Sequence, residues 1–101
     1  MSTAPTLLVA DDHPLFRAAV LHVLRERLPQ FRTLEAASAA TLGQALQDHP
    51  EVELVLLDLS MPGTRGFSAL LHVRGEYPEL PVVIISSNDH PRVIRLSLIH
   101  I

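Results

Sequence analysis

The chain has 101 residues, 48% of them hydrophobic and 19% charged, and a net charge of −3. This is enough apolar material for one small core, and too little charge bias for a disordered chain or a nucleic-acid-binding surface. The absence of cysteine excludes a disulfide scaffold and thiol chemistry; with no basic leader and no run long enough to span a bilayer, the expected location is the cytoplasm.

Residues 7–10 (Leu-Leu-Val-Ala) form an uninterrupted apolar run of the kind buried parallel strands show, and the run ends in Asp11 and Asp12. Pro14 suits the first turn of a helix capped by Asp12 or His13. Phe16, Ala19, Val20, Val23 and Leu24 then recur at helical spacing until Pro29 stops the pattern. Residues 31–36 read as a second strand. Ser38 is the N-cap of a helix carrying Ala39, Leu42, Ala45 and Leu46, which ends before Pro50. The third strand, from Val52, ends at Asp58, and Met61, Pro62, Gly63 and Gly66 make the loop beyond it.

Phe67, Leu70, Leu71 and Val73 mark a helix that reaches Tyr77 and stops at Pro78. A fourth strand, residues 82–85 (Val-Val-Ile-Ile), leads into Ser86, and Pro91 opens a fourth helix with Val93 and Ile94 on its inner side. Strands and helices alternate with short connections, which predicts a right-handed βαβ series around a parallel sheet.

In open α/β sheets the chemistry lies at the carboxyl ends of the strands. Here those ends carry Asp11 and Asp12, then Asp58, then Ser86. Two carboxylates ~4 Å apart repel by ~4 kcal/mol at an effective dielectric near 20. Three together must protonate or hold a divalent cation, and Mg²⁺ suits a hard oxygen site that shares its charge with phosphate. With the charge offset, one carboxylate can attack phosphorus and form an acyl phosphate, and the Ser86 hydroxyl can donate a hydrogen bond to a phosphoryl oxygen. The six histidines show no metal-ligand spacing.

Three segments carry a resemblance: residues 7–17 (Leu-Leu-Val-Ala-Asp-Asp-His-Pro-Leu-Phe-Arg), residues 58–63 (Asp-Leu-Ser-Met-Pro-Gly) with Gly66, and residues 81–86 (Pro-Val-Val-Ile-Ile-Ser). Together they resemble the receiver domain of bacterial two-component response regulators, most closely those of the NarL/LuxR type. The resemblance implies a flavodoxin-like (CheY-like) doubly wound sheet, with Asp58 as phosphoacceptor for a sensor histidine kinase. It also implies Mg²⁺ on Asp12, Asp58 and the Ser60 carbonyl with support from Asp11, and Ser86 as the switch hydroxyl. Ser60 and Asn88 stand where the family tunes phosphoryl lifetime. Such receivers are not themselves enzymes, and in this type they control an attached helix-turn-helix domain that binds DNA.

The match departs from the family at its end. Receivers have five βα units, and this chain has about four. The fifth strand normally ends in a lysine that pairs with the phosphoryl group, and all eight basic residues here are arginines. Residues 1–95 are therefore expected to be a receiver truncated after about four βα units, whose Asp58 takes phosphate weakly or briefly. Residues 96–101 (Leu-Ser-Leu-Ile-His-Ile) resemble a translated transposon-end adapter and are expected to be a non-native tail. Without a fifth strand, residues 82–85 would form an uncovered apolar edge prone to pairing with a second copy as a homodimer.

Two rival readings use the same residues. A pseudo-receiver interaction module would keep the fold without phosphorylation, although such modules usually lose the acidic pair or the acceptor. An aspartyl-phosphate phosphohydrolase of the haloacid-dehalogenase kind would carry a second acid at position 60, where this chain has serine.

Overall fold

In the computed structural model, which describes residues 5–58, 66–86 and 95–99, strands and helices alternate as the apolar runs predict. The elements are β1 (Thr6–Ala10), α1 (Pro14–Arg27), β2 (Arg32–Ala36), α2 (Ala39–Asp48), β3 (Val52–Asp58), α3 (Gly66–Glu76), β4 (Val82–Ser86) and β5 (Arg95–Ile99). The strands form one sheet in the order β2-β1-β3-β4-β5. The first four are parallel, which makes the chain a doubly wound α/β protein of the flavodoxin-like kind.

The last strand departs from the expected pattern. β5 runs antiparallel to β4, with Ser86 level with Arg95 and Val82 level with Ile99. β4 is therefore paired on both sides, and the uncovered edge expected at residues 82–85 is absent. Arg95 begins this strand, and residues 96–99 of the expected foreign tail lie within it. The helix expected to open at Pro91, with Val93 and Ile94 inside, lies outside the described residues.

Alternation along the strands divides the core between the two faces of the sheet. Leu8, Ala10, Val55, Leu57 and Ile84 pack with Leu42 and Leu46 of α2 and with Leu70 and Val73 of α3. Val9, Leu56 and Ile85 pack on the other face with Leu21 of α1, joined by the partly buried Phe16, Val20 and Leu24. Each fully buried leucine or valine contributes about 1.5–3 kcal/mol of transfer free energy.

The apolar stripe of α1 is rotated from the expected one. Leu21 is buried, whereas Ala19 and Val23 face outward. Leu71 of α3 is likewise exposed, and Ala69 is buried in the core.

Local signals fix the helix ends. The Ser38 Oγ accepts from the Thr41 backbone N–H at 3.2 Å, and the Ser38 N–H donates to the Thr41 Oγ1 at 2.9 Å. This is a reciprocal capping box with threonine in the position usually held by glutamate or glutamine. After α3, Arg74 donates from Nη1 to the Leu80 carbonyl and from Nη2 to the Pro78 carbonyl, both at 2.7 Å. These bonds close the turn that delivers the chain into β4.

The register sets where the strands end. Ala10 is level with Leu57, and Asp58 is level with Ile85. Asp11 and Asp58 therefore leave neighbouring strands at the same height. β1 lies between β2 and β3, so successive connections leave it in opposite directions, and a crevice opens above the ends of β1 and β3.

Candidate functional site

The crevice at the ends of β1 and β3 holds Asp11, Asp12, His13 and Asp58. One ligand-capable atom from each lies within 4.8 Å of all the others. The side chains of Asp11 and Asp58 are wholly buried, and that of Asp12 is partly exposed.

The loop between β1 and α1 is built to hold this group. The Asp11 N–H donates to the Ala36 carbonyl of β2 at 2.9 Å, which anchors its backbone. The Asp11 Oδ1 accepts from the His13 N–H at 2.9 Å, so the loop folds back over its own carboxylate. His13 is the N-cap of α1, in an extended conformation and without a side-chain bond to the helix. Pro14 follows at the first helical position, where its missing N–H is harmless. The imidazole is therefore free of capping duty and turns toward the acids. Its Nδ1 lies 3.0 Å from Asp11 Oδ1, 3.1 Å from Asp12 Oδ1 and 3.5 Å from Asp58 Oδ2.

The electrostatics follow from burial and crowding. Loss of water lifts the Asp11 carboxyl above its ordinary value, and the neighbouring Asp58 adds to the rise, while bonds from the His13 backbone and ring act against it. The hydrogen bond to Asp11 raises the His13 imidazole, and the charges of Asp12, Asp11 and Asp58 add to that against a small desolvation cost. The buried Asp11 Oδ2 has no hydrogen-bond partner. A buried carboxylate oxygen without a donor is costly. An oxygen-rich, negatively charged pocket with such an atom fits a hard divalent cation, and Asp11, Asp12 and Asp58 are the residues that would hold it.

Of the residues singled out from sequence, Asp11, Asp12 and Asp58 come together here. Ser86 ends β4 beside the rung that carries Asp58, so its backbone reaches the same edge of the sheet. Ser60 and Asn88 lie outside the described residues. His13 was not singled out, because histidine-to-histidine spacing cannot register a ligand whose partners are aspartates. Its adjacency to Asp11 and Asp12 was the available signal. An open cleft of about 560 Å³ lies elsewhere, lined by residues that include Leu46, Pro50, Tyr77 and Pro81, and contains none of the clustered acids.

Comparison with known proteins places these features in a wider set. The model of the response regulator receiver domain matches residues 7–98. The chain is 39% identical over 88 residues to the glycerol metabolism activator of Pseudomonas putida, covering 87% of this chain and 40% of that protein. It is 32% identical over 85 residues to the nitrate/nitrite response regulator protein NarL of Escherichia coli, covering 84% of this chain and 39% of NarL. The chain thus spans about 40% of the length of these relatives. Among solved structures, the receiver domain of NtrX from Brucella abortus matches with a TM-score of 0.71 and 31% identity, covering 77% of this chain and 64% of that one. A receiver protein from Pseudomonas putida matches the fold with a TM-score of 0.76 at 24% identity, covering 85% and 70%. Among the described residues, no helix is long and apolar enough to cross a membrane.

Proposed function

The chain belongs to the response regulator receiver domain family, and from that premise we propose that it is a phosphoacceptor, modified on Asp58 by a sensor histidine kinase in the presence of Mg²⁺. One observation carries this reading: three carboxylates, two of them wholly buried, converge with His13 at the carboxyl ends of adjacent parallel strands.

In the proposed reaction a carboxylate oxygen of Asp58 attacks the phosphorus of a phosphohistidine. A P–O bond forms, the P–N bond breaks, and its electron pair stays on the departing imidazole nitrogen, which takes up a proton. Asp11, Asp12, Asp58 and the Ser60 carbonyl would hold the cation. When bound, it offsets the charge of the carboxylates and of the incoming phosphoryl oxygens. The Ser86 hydroxyl would donate to a phosphoryl oxygen and draw the segment after β4 toward Asp58, a local charge change that biases a two-state element.

The output is proposed to be control of transcription through a DNA-binding domain elsewhere in the full protein. This rests on relatives such as the glycerol metabolism activator and the transcriptional activator protein ExaE, both of Pseudomonas putida.

The test is incubation with acetyl phosphate and Mg²⁺, followed by intact-mass analysis. A single phosphoryl adduct that requires Mg²⁺ and disappears in Asp58→Asn is the expected result. An adduct that survives Asp58→Asn, or none at any Mg²⁺ concentration, overturns the assignment.

A further inference from the structure

We propose that His13 is a nitrogen ligand of the cation at this site, and that it tilts the site from magnesium toward first-row transition cations such as Co²⁺. The inference rests on the reading of the acidic cluster as a cation site and adds a fourth protein ligand to it.

In an octahedral site with metal–ligand distances of 2.0–2.1 Å, neighbouring ligand atoms stand roughly 2.9 Å apart and opposite ones about 4.2 Å. His13 Nδ1 stands 3.0, 3.1 and 3.5 Å from single oxygens of Asp11, Asp12 and Asp58. Those are separations between atoms on one coordination sphere. The widest separation in the group, 4.8 Å, exceeds that of opposite ligands by well under an ångström. Drawing four side chains onto a common centre therefore needs only a small contraction.

Two further observations point the same way. The Asp11 Oδ2 is buried without a donor, so the cluster retains an acceptor that its own hydrogen bonds do not satisfy. The ring is also held in place by the backbone: the His13 carbonyl accepts from the Arg17 N–H of α1 while its side chain makes no cap bond, its N–H is fixed on Asp11, and Pro14 follows directly. A ligand preset by its backbone loses less freedom on binding than one delivered by a mobile chain.

The chemical consequence follows from ligand type. Carboxylate and carbonyl oxygens suit Mg²⁺, whereas imidazole nitrogen favours transition ions. Nearly any site of this kind binds Co²⁺ more tightly than Mg²⁺, so absolute affinity does not discriminate. The quantity that reports His13 is the ratio of the two affinities, compared between the natural chain and a variant lacking the imidazole.

The experiment titrates the full chain, His13→Ala and His13→Gln with Mg²⁺ and with Co²⁺ by calorimetry. In parallel, histidine ring ¹⁵N shifts of the natural chain are followed as diamagnetic Zn²⁺ is added. His13→Ala is expected to lower the Co²⁺-to-Mg²⁺ affinity ratio by roughly tenfold or more, since loss of even a supporting partner costs 10–100-fold. The Nδ1 resonance of His13 should move on Zn²⁺ binding. Should the variants fail to fold, the ring shift in the natural chain decides alone. An unchanged ratio with an unmoved His13 nitrogen overturns the inference and leaves the cation site standing. Failure of the natural chain to bind either cation removes both.

Discussion

The Arg17 guanidinium donates from Nη1 to the backbone carbonyl of Asp11 at 2.5 Å. From Nε it also reaches the Glu35 Oε1 at 2.9 Å. One side chain on the first turn of α1 thus ties the acidic loop to β2. The two bonds are unequal. The Asp11 carbonyl is held by a charged donor in a partly buried setting, whereas Glu35 is half exposed and its ion pair is screened. Arg17→Ala should cost about 1–2 kcal/mol in urea melts, and Glu35→Ala less than about 1 kcal/mol. Equal losses in the two variants would show that the loop does not depend on the carbonyl bond.

A second prediction concerns the cost of crowding the acids. Asp11 and Asp58 are both wholly buried, and the charge of Asp58 raises the Asp11 carboxyl. Asp58→Asn keeps the shape of the side chain and removes one charge. In the absence of a divalent cation, the variant should be more stable than the natural chain by about 1–3 kcal/mol, a fraction of the repulsion between unit charges ~4 Å apart. Adding Mg²⁺ should reverse the order. At about 1,000 times Kd a bound ligand stabilises the natural chain by ~4.1 kcal/mol, and the variant has lost a ligand. Thermal melts with and without Mg²⁺ check both halves. A variant that melts lower than the natural chain without metal contradicts the repulsion argument.

The pH dependence of the metal-free chain has a definite sign. Burial, with Asp58 beside it, raises Asp11 above its ordinary 3.8, and the bond to Asp11 raises His13 above 6.5. Both groups bind protons more tightly folded than unfolded, so stability falls wherever pH climbs through either raised value. For His13 the contribution is fully present below 6.5 and is lost as pH passes its higher folded value. For Asp11 the loss begins above 3.8. The metal-free chain should therefore melt at a lower temperature at pH 8 than at pH 6. His13→Ala should flatten that slope. A melting temperature that rises over this interval runs against the shifts.

The acidic cluster was legible in the sequence because each contributing strand is an apolar run broken by an aspartate, and parallel register then brings Asp11 and Asp58 level. The face of α1 was less legible. Apolar side chains at 15, 16, 18–21, 23 and 24 surround the helix, so several stripes satisfy the same spacing, and only packing against Val9 and Leu56 selects the one through Leu21. β5 was missed for a related reason. A short apolar run does not distinguish strand from helix, and the pairing partner that decides the matter is β4. His13 escaped notice because its partners are acids beside it and one acid 45 residues away, Asp58.

A last prediction separates the fold from its chemistry. Leu57 adjoins Asp58 in sequence, yet alternation turns it into the opposite core, where it is wholly buried with residues of α2 and α3. Leu57→Ala removes three buried carbon atoms and leaves a cavity that neighbouring β strands cannot close, at a cost of about 2–5 kcal/mol. The carboxylate oxygens around His13 Nδ1 come from Asp11, Asp12 and Asp58. Below its lowered melting temperature, the variant should bind Mg²⁺ with an affinity within about threefold of the natural chain, a difference of less than 1 kcal/mol. Denaturant melts give the stability and calorimetry gives the affinity. A large fall in affinity in the folded variant would mean that the core and the carboxylates are mechanically coupled through β3, and that Asp58 owes its position to packing beneath the sheet as much as to the register above it.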